Sequence, residues 1–197
     1  MAEAARKLPP LMTVAEFLDW PGDGTSVRYE LVDGVLRAMA PASNTHGTIH
    51  SNLTRQIGNH LEAVRPGCRI IVAPGIQPKL RAAWNHRIPE LGVTCVPDRP
   101  GVLMFPDAIL LIEILSPSNA QDTWSNIPLY ASVPSIEEIL IVHSATVKIE
   151  VLRRLADGNW PDNPTAIAGL DAAVDLASID LVLPLANVYG DTYHATA

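Results

Sequence analysis

Glu113 is the one charged side chain in the run Ile109-Leu110-Leu111-Ile112-Glu113-Ile114-Leu115, which Ser116-Pro117-Ser118 closes. A short apolar run rich in branched residues and stopped by proline reads as a buried central strand. An ionised carboxylate there costs several kcal/mol unless a partner or a metal compensates it, so Glu113 calls for a chemical explanation. Two other acids are candidates to share it. Asp107, in Pro106-Asp107, lies on the same strand six residues earlier and faces the same side. At about 3.3 Å per residue it stands roughly 20 Å away, whereas two ligands of one Mg²⁺ must lie within about 4 Å of each other. Asp107 is therefore read as a strand-entry residue. Glu90, in Pro89-Glu90-Leu91 on an earlier strand, can be laid beside Glu113 at the spacing of about 4.8 Å between neighbouring strands. Two carboxylates so placed suit a hard divalent cation, Mg²⁺ or Mn²⁺. The plainer reading of Glu90 is a surface acid, or one paired with Arg87 or His86.

The elements that must position these acids follow from pattern. Thr13-Val-Ala-Glu16 reads as a capping box opening a short helix that runs to Trp20 before Pro21-Gly22. Val27 to Val32 and Val35 to Met39 read as a hairpin around Asp33-Gly34. Ile49, Leu53, Ile57, Leu61 and Val64 recur at helical spacing, which predicts a helix from the Pro41–Thr45 cap region to about Arg65. Strands are expected over 69–73, 75–80 and 87–96, then a loop over 97–106 that leads into the Glu113 strand. A helix over 120–132, blemished by Pro128, and a strand pair over 138–143 and 147–155 come next. The segment 157–177 reads as loop with one short strand, and 181–189 as a strand or helical turn. The fold class is α/β or α+β, a mixed β-sheet flanked by helices.

With 197 residues, 48% hydrophobic and 18% charged, the chain is expected to form one globular domain over about 12–189, with flexible termini at 1–11 and 190–197. No run approaches the length of a membrane span and the first residues lack a signal-peptide core, so a cytoplasmic protein is expected. Cys68 and Cys95 are accordingly read as buried thiols. The net charge of −7 argues against a nucleic-acid partner until its distribution is considered. No Lys or Arg follows Arg154 while six Asp do, and between Arg28 and Arg99 nine basic residues face five acidic ones. The apolar segment Leu181-Val-Leu-Pro-Leu-Ala is expected to cover the core, and pairing with a second copy of the chain is left open.

Several strings together resemble one family. Met12-Thr-Val-Ala-Glu-Phe-Leu, Tyr29-Glu-Leu-Val-Asp-Gly, Pro89-Glu90-Leu91, Glu113-Ile-Leu-Ser-Pro-Ser and the Asp122-to-Tyr130 spacing are similar to those of the Uma-type restriction endonucleases of the PD-(D/E)XK nuclease superfamily, over about residues 12–189. The resemblance implies a restriction-endonuclease-like mixed sheet between helices, a Mg²⁺ or Mn²⁺ ion held by Glu90 and Glu113, Glu30 as an assisting acid and DNA as substrate. It also sets His46 where the family has a histidine, alongside the plainer reading of a helix-start residue.

The chain departs from that pattern where a lysine is expected. The position two residues after Glu113 is Leu115, and the family's alternative lysine, one turn after Asp122 and one turn before Tyr130, is Asn126. Asn126 carries no charge. The three lysines, Lys7, Lys79 and Lys148, lie far from both motifs in sequence, and Arg87 is the candidate substitute, although its parity relative to Glu90 points it to the other sheet face. The expected function is a metal-dependent endonuclease that hydrolyses phosphodiesters through Glu90 and Glu113, with Glu30 and Asn126 assisting. The alternative is a nuclease-fold protein that has lost turnover and acts by binding.

Overall fold

The computed structural model describes residues 11–117 and 119–196. Helix α1 (Val14–Leu18) opens on the expected capping box. The Thr13 hydroxyl accepts from the Glu16 amide at 3.3 Å, and the Glu16 carboxylate accepts from the Thr13 amide at 2.7 Å. Strands β1 (Tyr29–Val32) and β2 (Val35–Ala38) pair antiparallel around Asp33 and Gly34, both at positive φ. A side chain at Gly34 would also meet the Trp84 ring at 2.9 Å, so glycine is required there twice over. Helix α2 (Asn44–Val64) is capped by Ser43, whose hydroxyl accepts from the His46 amide at 3.2 Å, and it buries Ile49, Leu53, Ile57 and Leu61.

That apolar stripe lies on a six-stranded sheet ordered β3 (Arg69–Val72), β4 (Leu91–Thr94), β5 (Ala108–Leu115), β6 (Glu138–His143), β7 (Lys148–Arg153) and β8 (Thr165–Ala168). Neighbours are antiparallel except β5 and β6. Those two run parallel because helix α3 (Ala120–Ala131) carries the chain back between them. A second hairpin, β9 (Ala173–Leu176) with β10 (Leu181–Pro184), leads into α4 (Leu185–Tyr189). The Asn52 amide on α2 ties this end down by donating to the carbonyls of Val188 at 3.1 Å and Gly190 at 2.8 Å.

β5 is buried on both faces, which is why it reads as a continuous apolar run. Leu110, Ile112 and Ile114 enter the core beneath α2, the second hairpin and α4. Leu111 and Leu115 enter the core beneath α3, with Tyr130, Ile127, Ile139 and Ile141. Strand alternation puts Glu113 on the α3 side, between Leu111 and Leu115.

The mixed sheet flanked by helices is as expected, with differences of detail. α1 stops at Leu18, capped by Asp19. Residues 75–80 form no strand and make one antiparallel bridge, Ile76 with Arg87, because Pro74 and Pro78 remove the donors a ladder needs. The strand expected over 87–96 is regular only from Leu91 to Thr94. Pro128 sits inside α3 without ending it, since it is on the exposed side, where the carbonyl it leaves unpaired can be hydrated. The segment 157–177 holds two strands rather than one, and 181–189 is a strand and then a helix. Leu183, Leu185, Val188 and Tyr189 lie in the main core. Cys68 and Cys95 are not free thiols but a disulfide. The β3–β4 register, which pairs Arg69 with Thr94, brings the two cysteines opposite each other one position further on. Among the described residues no helix is long and apolar enough to cross a membrane.

Candidate functional site

Glu113 is 7% exposed and meets Asn126 and Tyr130, which follow Asp122 at intervals of four down one side of α3. The Tyr130 hydroxyl donates to Glu113 Oε1 at 2.7 Å, and the Asn126 amide donates to the same oxygen at 3.3 Å. Burial pushes the Glu113 carboxyl up to about 8; the nearby charges of Glu90 and Glu30 push the same way, and the two hydrogen bonds only partly oppose them. Burial and the Glu113 charge likewise raise the Tyr130 phenol well above its ordinary value. Tyr130 therefore remains a donor. The Asn126 carbonyl oxygen is buried with no partner among the described residues.

Glu90 lies in a bend just before β4. The β4–β5 ladder has its last pair at Leu91 and Ile112, so one further step in register sets Glu90 opposite Glu113. Two histidines from the first turns of α2 hold Glu90. His46 Nε2 is 3.0 Å from Glu90 Oε1, and His50 Nε2 is 4.0 Å from Oε2 and 3.3 Å from the Glu90 carbonyl oxygen. His46 is buried by this contact and is not an exposed helix-start residue.

The first hairpin supplies the third acid. Glu30 on β1 meets Arg87, whose guanidinium is 3.4 Å from Glu30 Oε1 and almost fully buried. Burial raises the Glu30 carboxyl, and Arg87 and Arg37 pull it back down. Arg87 thus pairs with Glu30, while Glu90 takes His46. Arg37, opposite Glu30 in the hairpin register, reaches across to an ion pair with Asp122 on α3.

Glu30, Glu90, Glu113 and Asn126 all line one cleft of about 400 Å³, together with Arg37, His46 and Asp122. Four carboxylates face one arginine there, and Arg37 is the one Lys or Arg among the lining residues. Asp107 is exposed at the start of β5 and does not line the cleft. Leu115 is buried in the core beneath α3, so that position offers apolar packing and no charge. A larger cavity of about 580 Å³, beside β3 and the 97–106 loop, contains none of these four residues. Among the described residues no group of three or more His, Cys, Asp or Glu side chains is arranged to hold a metal ion.

Three contributors are absent from the sequence-based candidates. Tyr130 stands four residues after Asn126 and could have been found as the next position on that helix face. Arg37 follows from the two-residue turn at Asp33-Gly34, which forces it opposite Glu30. His50 follows from His46 by one helical turn.

Comparison with known proteins agrees with the fold and with the motifs. Residues 14–186 match the Uma2 family, described as "Putative restriction endonuclease". The chain is 30% identical over 153 residues to "Uncharacterized protein slr1290" of Synechocystis sp. (strain ATCC 27184 / PCC 6803 / Kazusa), covering 77% of this chain and 78% of that protein. It shares its fold with a crystal structure from Anabaena variabilis ATCC 29413, described as a "putative nuclease belonging to DUF820", at a TM-score of 0.71 and 18% identity, covering 90% of this chain and 97% of the other. With a six-stranded mixed sheet between helices and a family match that spans most of its length, the chain belongs to the Uma2 restriction-endonuclease family.

Proposed function

We propose that this chain is a divalent-metal-dependent endonuclease acting on DNA, with Mg²⁺ or Mn²⁺ held by Glu90 and Glu113. The observation that carries this reading is Glu113, a buried carboxyl pushed up to about 8 beside further acids on an open cleft. A cation would relieve that burial. The donor set fits such an ion: two carboxylates in register, with the unpartnered Asn126 carbonyl oxygen beside Glu113. Mg²⁺ takes one or two carboxylates and completes its shell with water and substrate phosphate. When bound, the cation supplies positive charge to the phosphate and acidifies water.

The protein groups have distinct tasks in this reading. Tyr130 and Asn126 fix the Glu113 carboxyl by hydrogen bonds from one helix face. His46 sets the Glu90 carboxylate. Glu30, half-buried, raised by burial and partly compensated by Arg87, would assist as a ligand or by taking a proton from attacking water.

Asn126 and Leu115 favour a second reading, binding without turnover, since neither offers the positive group that a phosphodiester transition state needs. Losing one such preorganised group costs about 10²- to 10³-fold in rate. Titration calorimetry with Mg²⁺ and Mn²⁺ on the wild type and Glu113→Ala tests the metal. Binding by the wild type that Glu113→Ala abolishes supports the site, and no binding at millimolar concentration sinks it. A plasmid-nicking assay with Asn126→Lys separates weak from absent catalysis, because rescue by lysine means that only the cation was missing.

A further inference from the structure

Positive charge at the cleft has a candidate source outside the motif positions. Arg37 is the one Lys or Arg lining the cleft, against Glu30, Glu90, Glu113 and Asp122. Its side chain is 43% exposed and that of its partner Asp122 is 54% exposed, so the ion pair lies at the wet mouth of the cleft and not in its floor. An ion pair this exposed contributes at most about 1 kcal/mol, little enough for a phosphate to displace the carboxylate. The other cation near these acids, Arg87, is 3% exposed, engaged with Glu30 and absent from the cleft lining. The pair also joins two separate elements, β2 of the first hairpin and α3 behind the sheet.

We propose that Arg37 is the phosphate-binding cation of this cleft, stored on Asp122 in the free protein and transferred to a DNA phosphate when substrate enters. The guanidinium fork that meets one carboxylate can meet two phosphate oxygens in the same way. Asp122 then serves as a latch, holding the cation at the mouth of the cleft until a phosphate competes for it. The inference rests on the nuclease reading of the same site.

Fluorescence anisotropy of a short labelled DNA duplex, titrated at several salt concentrations with Ca²⁺ present, tests it on wild type, Arg37→Ala, Arg37→Lys and Asp122→Asn. Arg37→Ala is expected to weaken binding roughly tenfold and to lower the slope of log K against log salt by about 0.9, the share of one phosphate contact on duplex DNA. Arg37→Lys should keep the slope and lose part of the affinity, and Asp122→Asn, with the latch gone, should bind at least as tightly as wild type. Unchanged slope and affinity in Arg37→Ala, with the wild type binding normally, overturns the role of Arg37 and leaves the nuclease reading standing. No duplex binding and no nicking by the wild type overturns both. Should Arg37→Ala prove unfolded by circular dichroism, Asp122→Asn still decides, because weaker binding there contradicts a latch.

Discussion

The buried carboxyl of Glu113 makes stability of the metal-free protein depend on pH in an unusual direction. Its ordinary value is 4.5 and burial lifts it to about 8. Between those limits the folded chain keeps a proton that the unfolded chain releases. Stability from this group is thus complete below about 4.5 and is lost as pH rises through about 8, at about 1.4 kcal/mol per pH unit. From pH 5 to 8 the loss comes to about 4 kcal/mol, or roughly 10 °C in melting temperature for a chain of this size. Glu30, also raised by burial, acts in the same direction. The perturbation that isolates Glu113 is Glu113→Gln, which keeps the shape and the hydrogen-bonding capacity of the protonated acid but cannot ionise. Thermal unfolding by circular dichroism, in chelator, at half-unit steps from pH 5 to 8, gives the difference between the two proteins. The variant is expected to match the wild type near pH 5 and to exceed it increasingly toward pH 8. Added Mg²⁺ at pH 8 should raise the wild-type midpoint and leave the variant where it was. A difference between the two proteins that stays constant from pH 5 to 8 would refute the argument from burial.

His86 bears on the acid side. Both its ring nitrogens are buried without partners among the described residues, and burial lowers its pKa from 6.5, so stability present above about 6.5 should fall away as pH drops below it. His86→Leu should flatten that limb in the same unfolding series, and an unchanged limb would count against it. The buried carboxylate of Glu138 accepts from Arg153 at 2.6 Å and from the Ser178 amide and hydroxyl at 2.8 and 2.6 Å. Glu138→Ala should therefore cost about 2–3 kcal/mol in denaturant unfolding, with the metal binding proposed for the cleft unaffected per folded molecule. The Cys68–Cys95 disulfide closes 27 residues of chain, so reduction should cost about 3 kcal/mol. A Cys68→Ser, Cys95→Ser double variant should lose all sensitivity to reductant, and thiol titration of the native protein should find no free thiol until it is unfolded and reduced.

The sheet's centre was legible because β5 is buried on both faces, and a strand so placed writes its whole length in apolar residues. Glu113 was legible for the same reason, as the break in that run. Pairing across distance was harder to read. Cys68 and Cys95 carry no local signal of each other, and only the β3–β4 register joins them. Glu138 is legible only as the start of a strand, because its partners Arg153 and Ser178 arrive from 15 and 40 residues away. The segment 157–177 was faint because its alanines and aspartates bury little, with Val174 and Leu176 its fully buried apolar anchors. The residues around 75–80 misled in the other direction, since their apolar pattern suits a strand while Pro74 and Pro78 deny it a ladder.

Asn126 and Arg37 together turn the missing lysine into a question of where charge is stored. A lysine at the Asn126 position would be buried against Glu113, whose proton it would displace, and it would be fixed before substrate arrived. Preorganisation of that kind is what makes a cation valuable to a transition state. An arginine on β2 is different: exposed, held by an acid of its own and brought to bear only when a phosphate competes with that acid. The free energy of leaving Asp122 is subtracted from what such a cation adds to binding, and once on the phosphate it speeds the chemical step only as far as it holds the transition state more tightly than the bound ground state. The same substitution leaves the floor of the cleft neutral at Asn126 and Glu113 protonated near neutral pH, which makes the resting site less polarised than a lysine-bearing one. On these grounds the chain should bind DNA better than it cleaves it, and a divalent cation, by ionising Glu113, should matter more to turnover than to affinity.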